Sequence, residues 1–356
     1  MNTDEIPVNV QCGALHSLLL TSKNRLFAAD TGRIMPSGLG TKLEKTKDGR
    51  RRGLQNIRVQ TDLPEERARS PSLLKKNSKF EITGTEKHRT FNSNLEIDFK
   101  EIILEKQISE GGYGIIYRAK WRETIVAVKM FKIESNESAV RDFLSECHAM
   151  EALRHPNIVM FLGACTKPPN LCIVLEYCSG GSLWSTIQNL ENPLSWEDKK
   201  RFALDTAKGM HYLHSCHPPI LHRDLKSLNL LLDECSRVKL ADFGWTKGLA
   251  NYMTGKIGTY QWMAPEVIGG QQYTEKADVF SFGIILWEIA AREPPYRNIS
   301  GVQVSIEVLN NDMRPSIPKR TPECYARLIK RCWERDPYKR PSFKEIIREL
   351  EYMRFK

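Results

Sequence analysis

The chain has 356 residues, 41% of them hydrophobic, and a formal net charge of +10 at pH 7. That apolar content is too high for a wholly disordered protein, and the length suggests one or two domains. The nine cysteines form an odd set without a C-x-x-C pair. They therefore predict neither a disulfide framework nor a zinc site, and they fit a reducing compartment.

Targeting signals are not evident in the sequence. The N-terminus lacks the basic-then-apolar order of a signal peptide, and Asn2 stands where myristoylation needs glycine. The apolar stretch Val279–Ala291 is too short to span a bilayer. We therefore expect a cytoplasmic protein without a transmembrane segment. The basic arm also allows a nuclear or membrane-peripheral location.

Residues 1–40 contain one unit with the pattern strand–turn–strand. The order C-G-x-x-H-S-x-x-L-T at Cys12–Thr21 resembles a single RCC1-type β-propeller repeat. One unit cannot close a propeller, so an unstructured arm is the alternative. Residues 41–95 are basic and rich in Ser and Thr, which predicts a disordered linker. Since no aromatic residues interleave Lys42–Arg52, we expect no specific nucleic-acid binding.

From Glu96 onward the pattern is that of a folded domain, residues 96–356. Short β-branched runs separated by glycine and polar turns predict antiparallel strands. Apolar residues at three- and four-residue spacing predict a helix over Ser138–Leu153, and helical patterns dominate after Gly180. A strand-rich block followed by a helix-rich block predicts an α+β fold of two lobes, about 96–177 and 182–356.

Glycines lie between two strand-like runs at Gly111, Gly112 and Gly114. Such a turn lets backbone amides approach phosphates where a Cβ would intrude, although most glycine-rich turns are only turns. Lys129 follows within the apolar run that begins at Val126. Together they predict a phosphate cradle with a cation beside it.

A second group of polar residues is more specific. Asp224, Lys226 and Asn229 lie in one short loop before an apolar strand. They provide an acceptor for a hydroxyl proton, a cation for transferring charge and an amide oxygen for a metal. Asp242 lies in an Asp-Phe-Gly turn that suits a hard cation, and Ala264-Pro265-Glu266 follows. Their common order is the signature set of protein kinases.

Residues 96–356 thus resemble the protein kinase superfamily, and within it the tyrosine-kinase-like group of Raf and mixed-lineage relatives. Lys120-Trp121, Leu162–Cys165, Gly180–Leu183 and Trp262–Glu266 carry the closer likeness. The resemblance implies a bilobal fold with a five-stranded antiparallel sheet and one helix in the N-lobe, and a mainly helical C-lobe. It also implies ATP, Mg²⁺ or Mn²⁺, and protein substrates.

The resemblance also implies a role for each site residue. Asp224 would accept the substrate hydroxyl proton, and Lys226 would steady the γ-phosphoryl group. Lys129 would hold the α- and β-phosphates and pair with Glu146. The implied metal ligands are Asn229 and Asp242. The rest of the ATP site is implied at Ile108, Ser109, Glu110, Gly111, Gly112, Tyr113, Gly114, Ile116, Ala127, Leu175, Glu176, Cys178 and Leu231. Structural roles are implied for Asp278, which would anchor the catalytic loop, and for a pair between Glu266 and Arg340.

The choice of acceptor hydroxyl follows from the same resemblance. Lys226 and Thr259 resemble the residues that serine/threonine kinases have at these positions. Dual specificity stays open, because the tyrosine-kinase-like group is closely related to the tyrosine kinases. A pseudokinase scaffold is the other alternative, and it would be expected to lack Lys129, Asp224 or Asp242. Two positions depart from the family's usual pattern. Ser109 replaces the first glycine of the loop, and Trp245 stands where the family usually has Leu or Phe. The bulk of Trp245 predicts serine over threonine; the alternative is that it packs under the first helix and does not contact the acceptor. Leu228 carries no charge and predicts no strong requirement for an upstream Arg.

Two regulatory features are implied as well. Phosphorylation at Thr254, and secondarily at Thr246 or Tyr252, would place charge near Arg223 and order the activation segment; ordinary loop hydroxyls are the alternative. Arg154-His155 resembles the position at which Raf kinases form side-to-side homodimers. The alternative is a helix-terminal Arg that neutralises the helix dipole.

Overall fold

The computed structural model describes residues 91–111, 114–131, 137–242 and 260–355, together with four short strands near the N-terminus. Those strands pair antiparallel in sequence order and are β1 (Pro7–Cys12), β2 (His16–Thr21), β3 (Leu26–Asp30) and β4 (Arg33–Met35). Strands are therefore present where the sequence predicts them, whereas the likeness to an RCC1-type unit stays a prediction. The predicted linker, as far as residue 90, lies outside the described residues.

The N-lobe is a five-stranded antiparallel sheet with the strand order β5-β6-β7-β9-β8. Its elements are β5 (Ile102–Gly111), β6 (Gly114–Trp121), β7 (Thr124–Phe131), α1 (Glu137–Glu151), β8 (Phe161–Cys165) and β9 (Cys172–Glu176). Val126 and Val128 are buried on one face of the sheet. Because side chains alternate along a strand, Lys129 projects from the other face, toward α1.

The C-lobe is built around a helix that is buried along most of its length. The helices are α2 (Leu183–Gln188), α3 (Trp196–His214), α4 (Pro265–Ile268), α5 (Glu275–Ala291), α6 (Gly301–Asn311), α7 (Glu323–Cys332) and α8 (Phe343–Tyr352), and the strands are β10 (Leu230–Leu232) and β11 (Val238–Leu240). From Val279 onward the central helix, α5, carries buried residues on all its faces, which is typical of a helix inside a core. Ser195 and Ser342 begin α3 and α8 with capping boxes.

The predicted α+β fold of two lobes is confirmed. The helix expected over Ser138–Leu153 occupies Glu137–Glu151. Packing against the N-lobe begins at Phe91, upstream of the predicted start at residue 96. Within the described part of the chain, no helix has the length and apolar character needed to cross a membrane.

Candidate active site

The glycine-rich hairpin joins β5 to β6, and Gly111 pairs with Gly114 at its end. Gly114 has φ +151°, and a Cβ there would lie 2.0 Å from the carbonyl oxygen of Met130, so only glycine fits. Met130 follows Lys129 in β7, which holds the hairpin beside the strand that carries the lysine. Gly112 and Tyr113, at the tip, lie outside the described residues.

Lys129 lies between two carboxylates that come from distant parts of the chain. Its Nζ is 2.9 Å from Oδ1 of Asp242 and 3.9 Å from Oε1 of Glu146. The charge of Lys129 lowers the pKa of Asp242, whose side chain is 43% exposed. Burial raises the pKa of Glu146 more than Lys129 lowers it. The expected pair between Lys129 and Glu146 is therefore present, but Asp242 is the closer partner.

A small cavity opens beside these three charged groups. Its apolar lining comes from both lobes and consists of Met150, Val159, Ile173, Leu175 and Ala241. Of these, sequence reasoning named only Leu175. Met150 in α1 and Ile173 in β9 have the positions of ordinary core residues, and periodicity does not distinguish a cavity wall from a packed core. Val159 and Ala241 lie outside the helices and strands, so no periodic pattern includes them.

The predicted adenine site is brought together in part by the strand register. Ala127 pairs with Leu175, and Ile116 pairs with Lys129, so these side chains share one face of the sheet. Leu231 is half-buried in β10. Ile108, by contrast, lies at a register shift in β5 and its side chain is 49% exposed.

The remaining predicted ATP-site residues occupy the strands around this face. Ser109 and Glu110 pair with Ile116 and Ile115 across the hairpin. Glu176 ends β9, and its carboxylate accepts hydrogen bonds from the Met160 N–H and from Lys239, both at 2.7 Å. Burial raises the pKa of the Cys178 thiol to about 12. Glu176 and Cys178, both implied for the ATP site, thus lie at the end of β9 and just after it.

The catalytic loop gathers its polar side chains around Asp224. Lys226 Nζ donates to both carboxylate oxygens, at 2.9 and 2.7 Å. Asn229 Nδ2 donates to the backbone carbonyl of Asp224 at 2.8 Å and to its Oδ2 at 3.0 Å. The three predicted residues therefore form one hydrogen-bonded cluster, which holds the Asp224 carboxylate in a defined orientation.

The catalytic loop is held in place by Asp278, a buried residue of α5. Its carboxylate accepts hydrogen bonds from the backbone N–H of His222 and Arg223, at 2.9 and 3.1 Å. It also contacts the Tyr273 hydroxyl at 2.7 Å and His214 Nε2 at 2.9 Å. Burial pushes the pKa of Asp278 upward, but His214 and His222 outweigh it and the pKa is lowered. The expected anchoring role is thus present in the structure.

One further contact ties the catalytic loop to the segment before Ala264. Glu288 of α5 is fully buried; it accepts hydrogen bonds from Ser227 Oγ at 2.8 Å and from Trp262 Nε1 at 2.7 Å. Burial raises its pKa to about 8, although the hydrogen bonds from Trp262 and Ser227 lower it. Sequence reasoning did not assign Glu288 to the site, although a carboxylate within the apolar stretch Val279–Ala291 was a usable signal.

The raised pKa of Glu288 makes stability depend on pH. Because the folded state keeps the proton that the unfolded state releases, stability falls as pH rises from about 4.5 to about 8. Each pH unit that separates the folded from the unfolded pKa is worth roughly 1.4 kcal/mol. We expect the unfolding free energy of the wild type, relative to Glu288→Gln, to fall between pH 6 and 8 and to flatten above pH 8. A difference independent of pH would contradict the prediction.

Several predicted positions are not part of the described chain, and they are Phe243, Gly244, Trp245, Thr246, Tyr252, Thr254 and Thr259. The phosphorylation sites therefore stay predictions.

Arg154, implied for side-to-side pairing, lies within the described residues. Its backbone N–H donates to the Tyr212 hydroxyl at 3.0 Å, and its guanidinium donates to the carbonyl of Leu153 at 2.8 Å. The His155 ring stacks on Tyr212. These contacts fit the helix-terminal alternative, and the side-to-side homodimer stays a prediction.

A lysine on a five-stranded sheet, together with a loop that clusters Asp224, Lys226 and Asn229, is the arrangement typical of protein kinases. A family model described as protein tyrosine and serine/threonine kinase matches residues 102–350. The chain belongs to this family.

Among curated relatives, a probable serine/threonine-protein kinase of Dictyostelium discoideum is 42% identical over 77% of this chain and 30% of its own length. The probable serine/threonine-protein kinase drkC of the same organism is 44% identical, over 75% of this chain and 36% of its own. The serine/threonine-protein kinase STY17 of Arabidopsis thaliana is 42% identical, over 72% of this chain and 45% of its own. The chain thus spans less than half the length of these relatives.

Proposed function

We propose that this chain is a serine/threonine protein kinase that transfers the γ-phosphoryl group of Mg·ATP to a protein hydroxyl. The observation that carries the proposal is the Asp224, Lys226 and Asn229 cluster on the Asp278 anchor. A pseudokinase would be expected to lack Lys129, Asp224 or Asp242, and this chain has all three.

Asp224 would orient the acceptor hydroxyl and take its proton, since its carboxylate is held in place by Lys226 and Asn229. Lys226 would turn from Asp224 toward the transferring phosphoryl group, where its charge is needed. Lys129 would hold the α- and β-phosphates of ATP. These are positioning and charge-neutralising roles, which suit a loose transition state.

A divalent cation fits the donor set of the site. The carboxylate of Asp242 and the amide oxygen of Asn229 are hard oxygen ligands of the kind that Mg²⁺ prefers. The charge of Lys129 keeps the pKa of Asp242 low, so the ligand would be ionised at neutral pH. Bound metal would neutralise phosphate charge; Mn²⁺ can serve the same oxygen ligands.

The assignment to serine and threonine rests on two supports. The relatives named above are called serine/threonine-protein kinases. Lys226 is the residue that serine/threonine kinases typically have at this position of the catalytic loop. The half-exposed Leu228, beside the catalytic cluster, brings no charge to the site. We therefore propose substrates without a strict upstream Arg, with serine favoured by the bulk of Trp245.

The test uses peptides that differ only in the acceptor residue: serine, threonine or tyrosine. We expect phosphorylation in the order serine, then threonine, with tyrosine at the background given by Lys129→Met. Replacing an upstream Arg by Gln should change the rate little. Equal rates for tyrosine and serine would reject the serine/threonine assignment. A rate for threonine at or above that for serine would reject only the role of Trp245, which Trp245→Val tests directly.

A further inference from the structure

The segment Phe91–Ile97, called the strap below, lies along one edge of the N-lobe sheet. β8 is the last strand of that sheet, and an uncovered edge strand leaves backbone groups without partners. The strap covers it, because the Ile97 N–H donates to the carbonyl of Ala164 at 2.9 Å. The carboxylate of Glu96 accepts hydrogen bonds from the N–H and hydroxyl of Thr166, at 3.2 and 2.7 Å.

The strap approaches β8 so closely that position 163 requires glycine. A Cβ at Gly163 would lie 2.5 Å from the carbonyl oxygen of Leu95 and 2.7 Å from Cδ1 of Ile97. Contacts that short do not occur between ordinary packed atoms. The strap is therefore a fitted part of the lobe, and it precedes the first strand of the kinase sheet.

The strap also reaches α1, the helix that carries Glu146. Asn92 Nδ2 donates to Oε1 of Glu151, in the last turn of α1, at 2.8 Å. The ring of Phe91 lies against His148 of the same helix and against Phe161 of β8, with centroids 5.9 and 6.4 Å apart. The strap thus connects the sheet edge to one end of α1.

A small movement of α1 matters for the site. The Lys129–Glu146 distance of 3.9 Å is at the outer limit of an ion pair, so a shift of the helix by a fraction of an ångström makes or breaks it. Glu151 is about 7.5 Å along the helix axis from Glu146, and a helix transmits displacement over that length as a rigid body.

We propose that the strap is a positioning element for catalysis: the Asn92–Glu151 hydrogen bond and the Phe91 contacts set α1, and thereby Glu146, against Lys129. Asn92 and Phe91 are not among the residues assigned to the ATP site or the catalytic loop. They act through α1, which they contact at Glu151 and His148.

The test is Asn92→Asp in the full chain. Aspartate keeps the side-chain oxygen that accepts the Asn94 N–H and is an equally good cap, but it loses the donor and faces Glu151 with like charge. We expect kcat/KM for ATP to fall roughly five-fold, with KM for the peptide unchanged. Hydrogen exchange in α1 should rise. Asn94→Asp is the matched control, since it makes the same charge change at an exposed position of the strap and should leave activity unchanged.

A second substitution that can restore the hydrogen bond distinguishes a positioning role of Asn92 from a general loss of stability. In Asn92→Asp combined with Glu151→Gln, the glutamine amide can donate to the introduced carboxylate, so activity should return toward the wild type. Glu151→Gln alone should change little, because its oxygen still accepts from Asn92. Wild-type kinetics in Asn92→Asp, an equal loss in Asn94→Asp, or a double variant no better than the single one would each overturn the proposal. We expect melting temperatures close to that of the wild type for all variants, which would show that each one is folded.

Discussion

Replacing Asp224 by asparagine is expected to lower kcat by roughly 10²- to 10⁴-fold, the usual range for a positioned general base. The amide has nearly the shape of the carboxylate and can still accept one hydrogen bond from Lys226. It cannot take a proton from the acceptor hydroxyl, so the loss should appear in kcat more than in KM for ATP. The measurement is steady-state kinetics with Mg·ATP and a serine peptide.

Folding of this variant should be close to that of the wild type, because the Asp224 side chain is partly solvent-exposed, at 20%, and the loop keeps its Asp278 anchor. Asp98→Asn is a suitable control. Asp98 caps a short 3-10 turn through its side-chain oxygen, which asparagine does equally well, and it is remote from the loop in sequence. Near-wild-type turnover in Asp224→Asn would show that the carboxylate is not the base.

The catalytic cluster was predictable because its members lie within one loop. Asp224, Lys226 and Asn229 are close in sequence, so their spacing alone brings them together. Lys129 and Asp242 are 113 positions apart, and no local pattern joins them. Their proximity was expected only through the resemblance of the whole motif order to protein kinases.

The detailed geometry of the lysine was not predictable. The sequence led us to expect Glu146 as its partner, and the structure places Asp242 a full 1.0 Å nearer, at 2.9 against 3.9 Å. The difference depends on the orientation of α1 against the sheet. That orientation follows from packing between residues far apart in the sequence, and motif spacing carries no information about it.

Two features were missed for a common physical reason. Glu288 meets Ser227 and Trp262 across 61 and 26 positions, and Asn92 meets Glu151 across 59. Single hydrogen bonds between distant side chains leave no periodicity and no motif. Glu288 could have been flagged as a carboxylate in an apolar helix, but its partners could not have been named.

The largest effect on stability is expected at Arg340, whose guanidinium is fully buried in the C-lobe. It forms a bidentate pair with Glu266, at 2.6 and 2.8 Å. Its remaining N–H groups donate to the backbone carbonyls of Glu334, Lys276 and Arg335, at 2.7, 2.8 and 3.1 Å. All five donors of the guanidinium are therefore used.

Arg340→Met removes the cation and leaves a buried carboxylate and three carbonyls without these donors. We expect a loss of about 3–5 kcal/mol in the free energy of unfolding, the range for breaking one side of a buried pair. Chemical denaturation at pH 7 is the measurement. The surface pair of Arg331 and Glu349 is the matched control, and Glu349→Gln there should cost less than about 1 kcal/mol.

A double variant, Glu266→Met with Arg340→Met, distinguishes two roles of the arginine: neutralising Glu266 and donating hydrogen bonds to three backbone carbonyls. A buried ion pair can often be replaced by apolar side chains without loss of stability. If Arg340 served only to neutralise Glu266, the double variant would therefore recover nearly all of the lost stability. The three backbone carbonyls predict otherwise, because they are partly buried and a fully buried acceptor left unsatisfied costs about 1–3 kcal/mol. We expect the double variant to remain substantially less stable than the wild type, even though no buried charge is left unpaired. Full recovery of stability would mean that Arg340 serves only to neutralise Glu266, and that the carbonyls find other donors once it is gone.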